Sequence, residues 1–384
     1  MKLSFLIFIS IFLAIYSLAN YYVLNRGFQL LPAILWLRIS YIVVFIFLAS
    51  AYLLSRFVER GHLNFLHHIA YWLGSYWLAA LIYLFIAVLF FDLIRLLNLG
   101  FHFLPDRMSL QYLLLKQIFF VSALCMVVIL LVYGTWNASH PVIKQINLSI
   151  SKPAGRLKEL NIAMVSDIHL GSLFGKQKVA SMVDRINGLH PDLILLVGDI
   201  LDEAQNPIFE DNTGEPLKML KAPLGVYAVT GNHEYIGGVN RAVNYIISLN
   251  IKMLRDTALL IDNEFYLVGR EDRDINRFTE KQRKPLNEIL QNVNHQLPVI
   301  LLDHQPFGLN QAVENGVDLQ FSGHTHHGQF WPITYLTNRI YEVSWGYKQK
   351  GNTHFYVSCG YGTWGPPIRI GNQPEIVNIK LKFE

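Results

Sequence analysis

Four long apolar runs crowd the first 140 residues of this 384-residue chain, covering residues 3–24, 31–54, 69–91 and 110–133. Each has about the 20 residues that a helix needs to cross a ~30 Å hydrocarbon layer. Each is apolar around its whole circumference, whereas a surface helix keeps its apolar residues in one stripe. Residues 1–140 therefore read as a four-helix transmembrane region in a multi-pass cell-membrane protein. The first run, with Lys2 ahead of it and Ser17-Leu18-Ala19 near its end, has features of a cleaved leader, but it continues through Tyr21, Tyr22 and Val23. Arg38 and Lys116 fall at the edges of the second and fourth runs, where long basic side chains snorkel to the interface.

Charge divides the chain at the same place. Residues 1–140 hold eight Lys and Arg against three Asp and Glu, and the remainder holds 24 against 25. The basic excess belongs to the membrane flanks. The second part lacks the broad basic footprint of a nucleic-acid binder, so nucleic acid is not expected among its partners. One set of flanks carries Lys2, Arg56, Arg60, Lys144 and Lys152; the other carries Arg26, Arg95 and Arg107, partly matched by Asp92 and Asp106. This count favours the cytoplasmic side for both ends of the chain. Cys125 and Cys359 are expected to be unpaired and say nothing of compartment.

Residues 141–158 have turn chemistry and scattered Lys, and read as a linker with one partly alternating stretch, 142–150, able to form an edge strand. From 159 to 384 the pattern alternates strand and helix. Short apolar strands at 160–165, 193–197, 225–229, 299–302 and 319–321 each run straight into a turn that carries oxygen or imidazole donors. Those turns present Asp167 and His169, Asp199, Asn232 and His233, His304, and His324 and His326. In layered α/β sheets, ligands bind beyond the carboxyl ends of the strands. Mixed oxygen and nitrogen donors without thiolate suit Mn²⁺, Fe²⁺ or Zn²⁺. The seven ligand-type residues other than His233 exceed what one ion with an open position needs, and suit two ions about 3.5–4 Å apart sharing a carboxylate. Glycines 198, 231 and 323 permit close backbone approach at these turns.

The series Asp167-x-His169, Gly198-Asp199-x-x-Asp202, Gly231-Asn232-His233-Glu234, a lone His304 and Gly323-His324-Thr325-His326 resembles the calcineurin-like metallophosphoesterase superfamily over residues 158–370. The ending Gly-His-Thr-His-x-Gly-Gln resembles its membrane-associated bacterial branch, which includes proteins similar to UDP-2,3-diacylglucosamine pyrophosphatases. The resemblance implies an α-β-β-α sandwich and a metal-bridged hydroxide as nucleophile. It implies Asp167, His169 and His326 at one ion, Asn232, His304 and His324 at the other, and Asp199 between them. His233 becomes the proton donor or oxyanion stabiliser, and neighbouring side chains on an extended segment diverge, which keeps it off the ion of Asn232. His327 departs from the glycine common there and either crowds the mouth or faces solvent.

The other polar residues have plainer readings. Asp202 and Glu234 are supporting or capping groups, Asp303 faces away from His304 along a strand, and Asp262 and Glu264 belong to a hairpin. His62, His67, His68, His102, His140, His190, His295 and His354 are surface or interfacial. The run 270–277 reads as a solvated loop, with substrate grip as the alternative, and Arg369 as a phosphate-facing group. The expected activity is hydrolysis of a phosphoester or pyrophosphate, and the bilayer tether points to a lipid- or nucleotide-linked substrate. The competing reading is a transporter or sensor whose extramembrane domain binds metal or phosphate without turnover. The full ligand set and His233 argue against it.

Overall fold

The computed structural model describes residues 3–58, 65–171, 173–203 and 205–384. Lys2, Arg60 and His62 lie outside these, as do the side chains of Arg56 and His67. The chain forms two compact units, Met1–Gly134 and Thr135–Glu384.

The first unit is helical: α1 (Leu3–Phe28), α2 (Leu35–Val58), α3 (Phe65–Phe101) and α4 (Leu110–Ala138), the last ending in the second unit. Among the described residues, three stretches are long and apolar enough to cross a membrane: Leu35–Ser55, His68–Phe101 and Leu110–Ala138. They leave Ile39, Val43, Leu96, Ile118 and Val128 at least half exposed, as lipid-facing side chains are. Polar groups turn inward instead. Trp77 donates to buried Asn20 at 3.0 Å, joining α3 to α1, and Tyr16 donates to the Ala49 carbonyl at 2.7 Å. In a medium without water such bonds join helices. Arg38 reaches back to the carbonyls of Leu31 and Pro32, as a snorkelling side chain does.

Among its described residues the second unit holds twelve strands: β1 (Val142–Ile150), β2 (Glu159–Val165), β3 (Leu193–Val197), β4 (Val226–Val229), β5 (Lys252–Met253), β6 (Thr257–Ile261), β7 (Phe265–Gly269), β8 (Val299–Leu302), β9 (Leu319–Ser322), β10 (Gly346–Lys350), β11 (Thr353–Val357) and β12 (Glu375–Phe383). They form two six-stranded mixed sheets, ordered β1-β12-β2-β3-β4-β5 and β10-β11-β9-β8-β7-β6. One face of each sheet meets the other in a shared core that includes Ile162, Leu195, Leu267, Ile300 and Phe321. The outer face of the first sheet is covered by Val179, Met182 and Ile186 of helix Lys176–Asn187, and by Ala242 and Ile246 of helix Val239–Ser248. Leu286, Ile289 and Ala312, from helices Leu286–Ile289 and Asn310–Glu314, cover the second. The layers run helix, sheet, sheet, helix.

Two details sharpen the sequence reading. The 141–158 stretch is not all linker, because β1 pairs with β12 along its whole length, from Val142 opposite Glu375 to Ile150 opposite Phe383. Its mostly exposed alternation marks it as an edge strand. The 270–277 run is not simply solvated: Arg270, Glu271 and Asp272 are buried. The hairpin connection spans residues 262–264, and Asp262 and Asn263 take positive φ values, 47° and 62°, a region that Asp and Asn tolerate better than most residues.

Candidate metal centre

Strands β2, β3 and β4 are parallel neighbours, with Val165 opposite Leu196 and Val197 opposite Val229. In the other sheet β8 runs parallel to β9, with Leu302 opposite Phe321. All five are buried at these ends, and the donors the sequence singled out follow within four residues of them. Four donor groups form among the described residues, and two of them lack His233. Ligand atoms of Asp167, His169 and His326 lie within 4.8 Å of one another, as do those of Asp199, His304 and His324.

The backbone is bent to achieve this. Asp167, His169, Asp199, His324 and His326 all have φ between 46° and 70°, a region that costs a non-glycine residue on the order of 1–3 kcal/mol. Asp167 and His169 therefore point the same way through an irregular strand end rather than by strand alternation. The glycines make room. A Cβ on Gly198, whose φ is +75°, would sit 2.5 Å from His304 Nδ1, and one on Gly323 would sit 2.3 Å from Asp167 Oδ2.

Within the cluster, donor atoms face each other. His169 Nε2 is 3.0 Å from His326 Nε2, and His304 Nε2 is 3.0 Å from Asp199 Oδ2. His324 Nδ1 is 2.8 Å from Asn232 Oδ1. His304 Nδ1 lies 2.7 Å from the Val197 carbonyl, which only accepts, so Nδ1 carries the proton there and Nε2 is the free ligand atom. A ligating histidine is usually held in this way, its other N–H on a carbonyl. Among the described residues His304 Nε2 is buried without a hydrogen-bond partner, although it makes the ionic approach to Asp199. Oriented lone pairs converging in a dry place are the chemistry that a divalent ion satisfies, and these residues fit such ions.

Electrostatics keep most of the rings neutral. Burial, followed by the charge of His233, pushes His169 down to about 3, and burial with His304 does the same to His324. His326 is pushed down by burial, by His169 and by Arg369. Asp167 is pushed up to about 6 by burial, against the pull of His304. For His304 burial opposes the charge, but Asp199 overcomes it and holds the ring well above the usual value.

Asn232 and His233 do not lie on an extended segment. They open the short helix Asn232–Gly237, where successive side chains still diverge, about 100° apart. His233 Nδ1 is 3.2 Å from Asp202 Oδ1 and 3.7 Å from Glu203 Oε1, and its ring lies edge-on to His169 at 4.5 Å. Burial disfavours its charge, yet Asp199 and Asp202 together raise its pKa. Glu234 ties the loops together: its carboxylate accepts from the backbone N–H of Gly231, Asp199 and Leu201 at 2.7, 3.1 and 2.8 Å. Asp303 lies on the far side of β8's end and pairs with Arg270 and Arg283.

Arg369 is placed differently from its expected phosphate-facing role. It is fully buried and donates to the carbonyls of Gly360 and Gly362 and to Asn372 Oδ1, with Nη2 3.4 Å from His326 Nδ1. It braces the turn behind His326. His327 turns aside, with Nδ1 2.7 Å from Ser344 Oγ and its ring beside Trp345. The sequence reading missed Glu203, Asp272, Tyr341 and Trp364. Trp364 lies 6.3 Å from the His233 ring and Tyr341 6.1 Å from His324. Asp272 accepts from Gln305 at 2.9 and 3.1 Å, and burial pushes it up to about 7. Trp364 sits in a stretch rich in glycine and proline and Asp272 in the 270–277 run, whereas nothing local marks Glu203 or Tyr341.

A family model of calcineurin-like phosphoesterases matches residues 160–328, which contain this whole cluster. An uncharacterised metallophosphoesterase of Aquifex aeolicus is 34% identical, the match covering 58% of this chain and 85% of that protein. A transmembrane protein with metallophosphoesterase domain from Danio rerio is 32% identical over 68% of this chain, which spans 62% of that relative's length. An uncharacterised metallophosphoesterase of Campylobacter jejuni is 29% identical over 98% of this chain and 99% of its own, helical region included.

Proposed function

The chain belongs to the calcineurin-like metallophosphoesterase family and is a metal-dependent phosphoesterase; from that premise we propose a membrane-anchored, two-ion hydrolase of lipid- or nucleotide-linked phosphoesters or pyrophosphates. The observation that carries the two-ion reading is the pair of donor groups, Asp167/His169/His326 and Asp199/His304/His324. Asp199 also groups with His169, which supports it as the shared ligand. Asn232, beside His324, completes the second set.

When bound, such ions supply Lewis-acid charge and lower the pKa of water toward neutrality. The protein's own part is to hold the donors in place and to position a proton. His233, steadied by Asp202, is the group that gives a proton to the leaving oxygen or hydrogen-bonds the phosphoryl oxygens. Arg369 and Glu234 keep the loops in register behind the ligands. The organisation is a membrane region over residues 1–140 and a catalytic domain over 159–384, with four crossings, α1 taken as the first. The bilayer tether supports a substrate of the UDP-2,3-diacylglucosamine kind, in which a pyrophosphate lies next to acyl chains.

Metal analysis and turnover of detergent-purified protein on a phosphoester panel with Mn²⁺ test this reading. Two ions per chain are expected, with Asp199→Ala losing both and all turnover. Retention of two tightly held ions by Asp199→Ala would remove the bridging assignment, and an inert panel would remove the enzyme reading of the site.

A further inference from the structure

Inside the first unit, α1 to α4 enclose a cavity of about 380 Å³, within the size range of small-molecule sites. Its walls are apolar: Val44, Phe45, Leu84, Ala87 and Phe119 are among them. Among the described residues its charged lining is Arg26, Asp92, Arg95 and Lys116. Arg26 lies in the last turn of α1, Asp92 and Arg95 late in α3, and Lys116 in the second turn of α4. The loop residues Gln29, Leu30 and Leu31 line the same end. The charges thus gather toward one end of the helices, while the apolar part of the lining extends toward their middle.

Three cations there face one carboxylate. Arg26 and Arg95 both pair with Asp92, at 2.5 and 3.1 Å, and Tyr22 donates to it as well. Lys116 pairs with no carboxylate among the described residues; its ammonium lies 5.2 Å from the Tyr112 ring centroid. Arg95 Nε is buried and has no hydrogen-bond partner among the described residues. Surplus positive charge beside a dry apolar cavity is costly in a membrane unless an anion shares it. Basic pockets between transmembrane helices suit anionic lipid headgroups.

We propose that this cavity binds one anionic phospholipid of the bilayer, its acyl chain between the helices and its phosphate among Arg26, Arg95 and Lys116. A neutral lipid would leave the cations unmatched, and a free phosphate would leave the apolar body unfilled. The site involves none of the metal-cluster residues.

The test is a titration of the full-length, detergent-purified protein with phosphatidylglycerol and with phosphatidylcholine of the same acyl chains, bound lipid being counted by native mass spectrometry. Glycerol 3-phosphate serves as the headgroup without a chain. Phosphatidylglycerol should bind several-fold tighter than phosphatidylcholine, and glycerol 3-phosphate should not compete. Lys116→Gln should weaken phosphatidylglycerol roughly fivefold, the share of one basic residue near a headgroup, and leave phosphatidylcholine unchanged. Lys116→Arg should restore it, and Ala87→Phe should weaken both lipids. Equal affinity for the two lipids, competition by glycerol 3-phosphate, or no effect of Lys116→Gln each overturns the proposal. Hydrolysis of a water-soluble phosphoester should be unchanged in Lys116→Gln, so the catalytic reading stands or falls separately.

Discussion

His233 stands one residue from Asn232, and the two are asked to do different things. Asn232 Oδ1 meets the ring of His324, whereas His233 Nδ1 is taken up by Asp202. His233→Ala should therefore keep its metal while turnover falls roughly 10²–10⁴-fold, the usual contribution of a positioned acid or base. Parallel loss of metal and rate would make it a ligand. The sign of the pH dependence follows from the same neighbours. Although burial opposes its charge, Asp199 and Asp202 hold the pKa of His233 above the ordinary histidine value. Its proton is present below that raised pKa, so a proton-donating step declines only as pH rises through it. Asp202→Asn removes part of the support, and the alkaline limb of the rate profile should move to lower pH. An unmoved limb would assign that limb to another group.

At the scale of elements, the helix Asn232–Gly237 matters more for its first turn than for its length. Glu234 collects N–H groups from Gly231, Asp199 and Leu201, locking the turn after β4 to the turn after β3. Glu234→Gln places an amide NH₂ against at least one of these donors. A buried N–H left unpaired costs about 1–3 kcal/mol, and lost outer support typically lowers metal affinity 10–100-fold. Metal titration of Glu234→Gln should show that loss, with turnover recovering at high metal; an unchanged titration would mean the loops hold without the carboxylate. The strand ends were legible because a short apolar run stopping at a donor residue is a local signal, repeated five times along the chain. Arg369 and the 270–277 run were not, because local sequence marks them only as charged. What buries Arg270 is Asp303, 33 residues away, and what buries Arg369 is a ring of carbonyls and Asn372 behind His326. β1 was legible only as a possible edge strand, since its partner β12 lies more than 200 residues on.

For the whole molecule the side of the membrane on which the metal cluster works fixes the pool of substrates it meets. With the four crossings proposed above, an even number, residues 135–384 return to the side from which α1 sets out. The flanks on that side include Arg56, Lys144 and Lys152, while Arg26, Arg95 and Arg107 flank the other. Arg26 and Arg95 share Asp92, and the proposed lipid site gives them and Lys116 a use at that face. Their presence there is then explained by binding rather than by topology, which weakens them as evidence against a cytoplasmic catalytic domain. Nucleotide-linked lipid precursors are available on the cytoplasmic side. A reporter that is active only in the cytoplasm, fused after Glu384, should accordingly be on, and one active only beyond the membrane should be off. The opposite pattern would remove cytoplasmic intermediates from the substrate list and would mean an odd number of crossings or an inverted first helix, while leaving the geometry around Asp199 as it is.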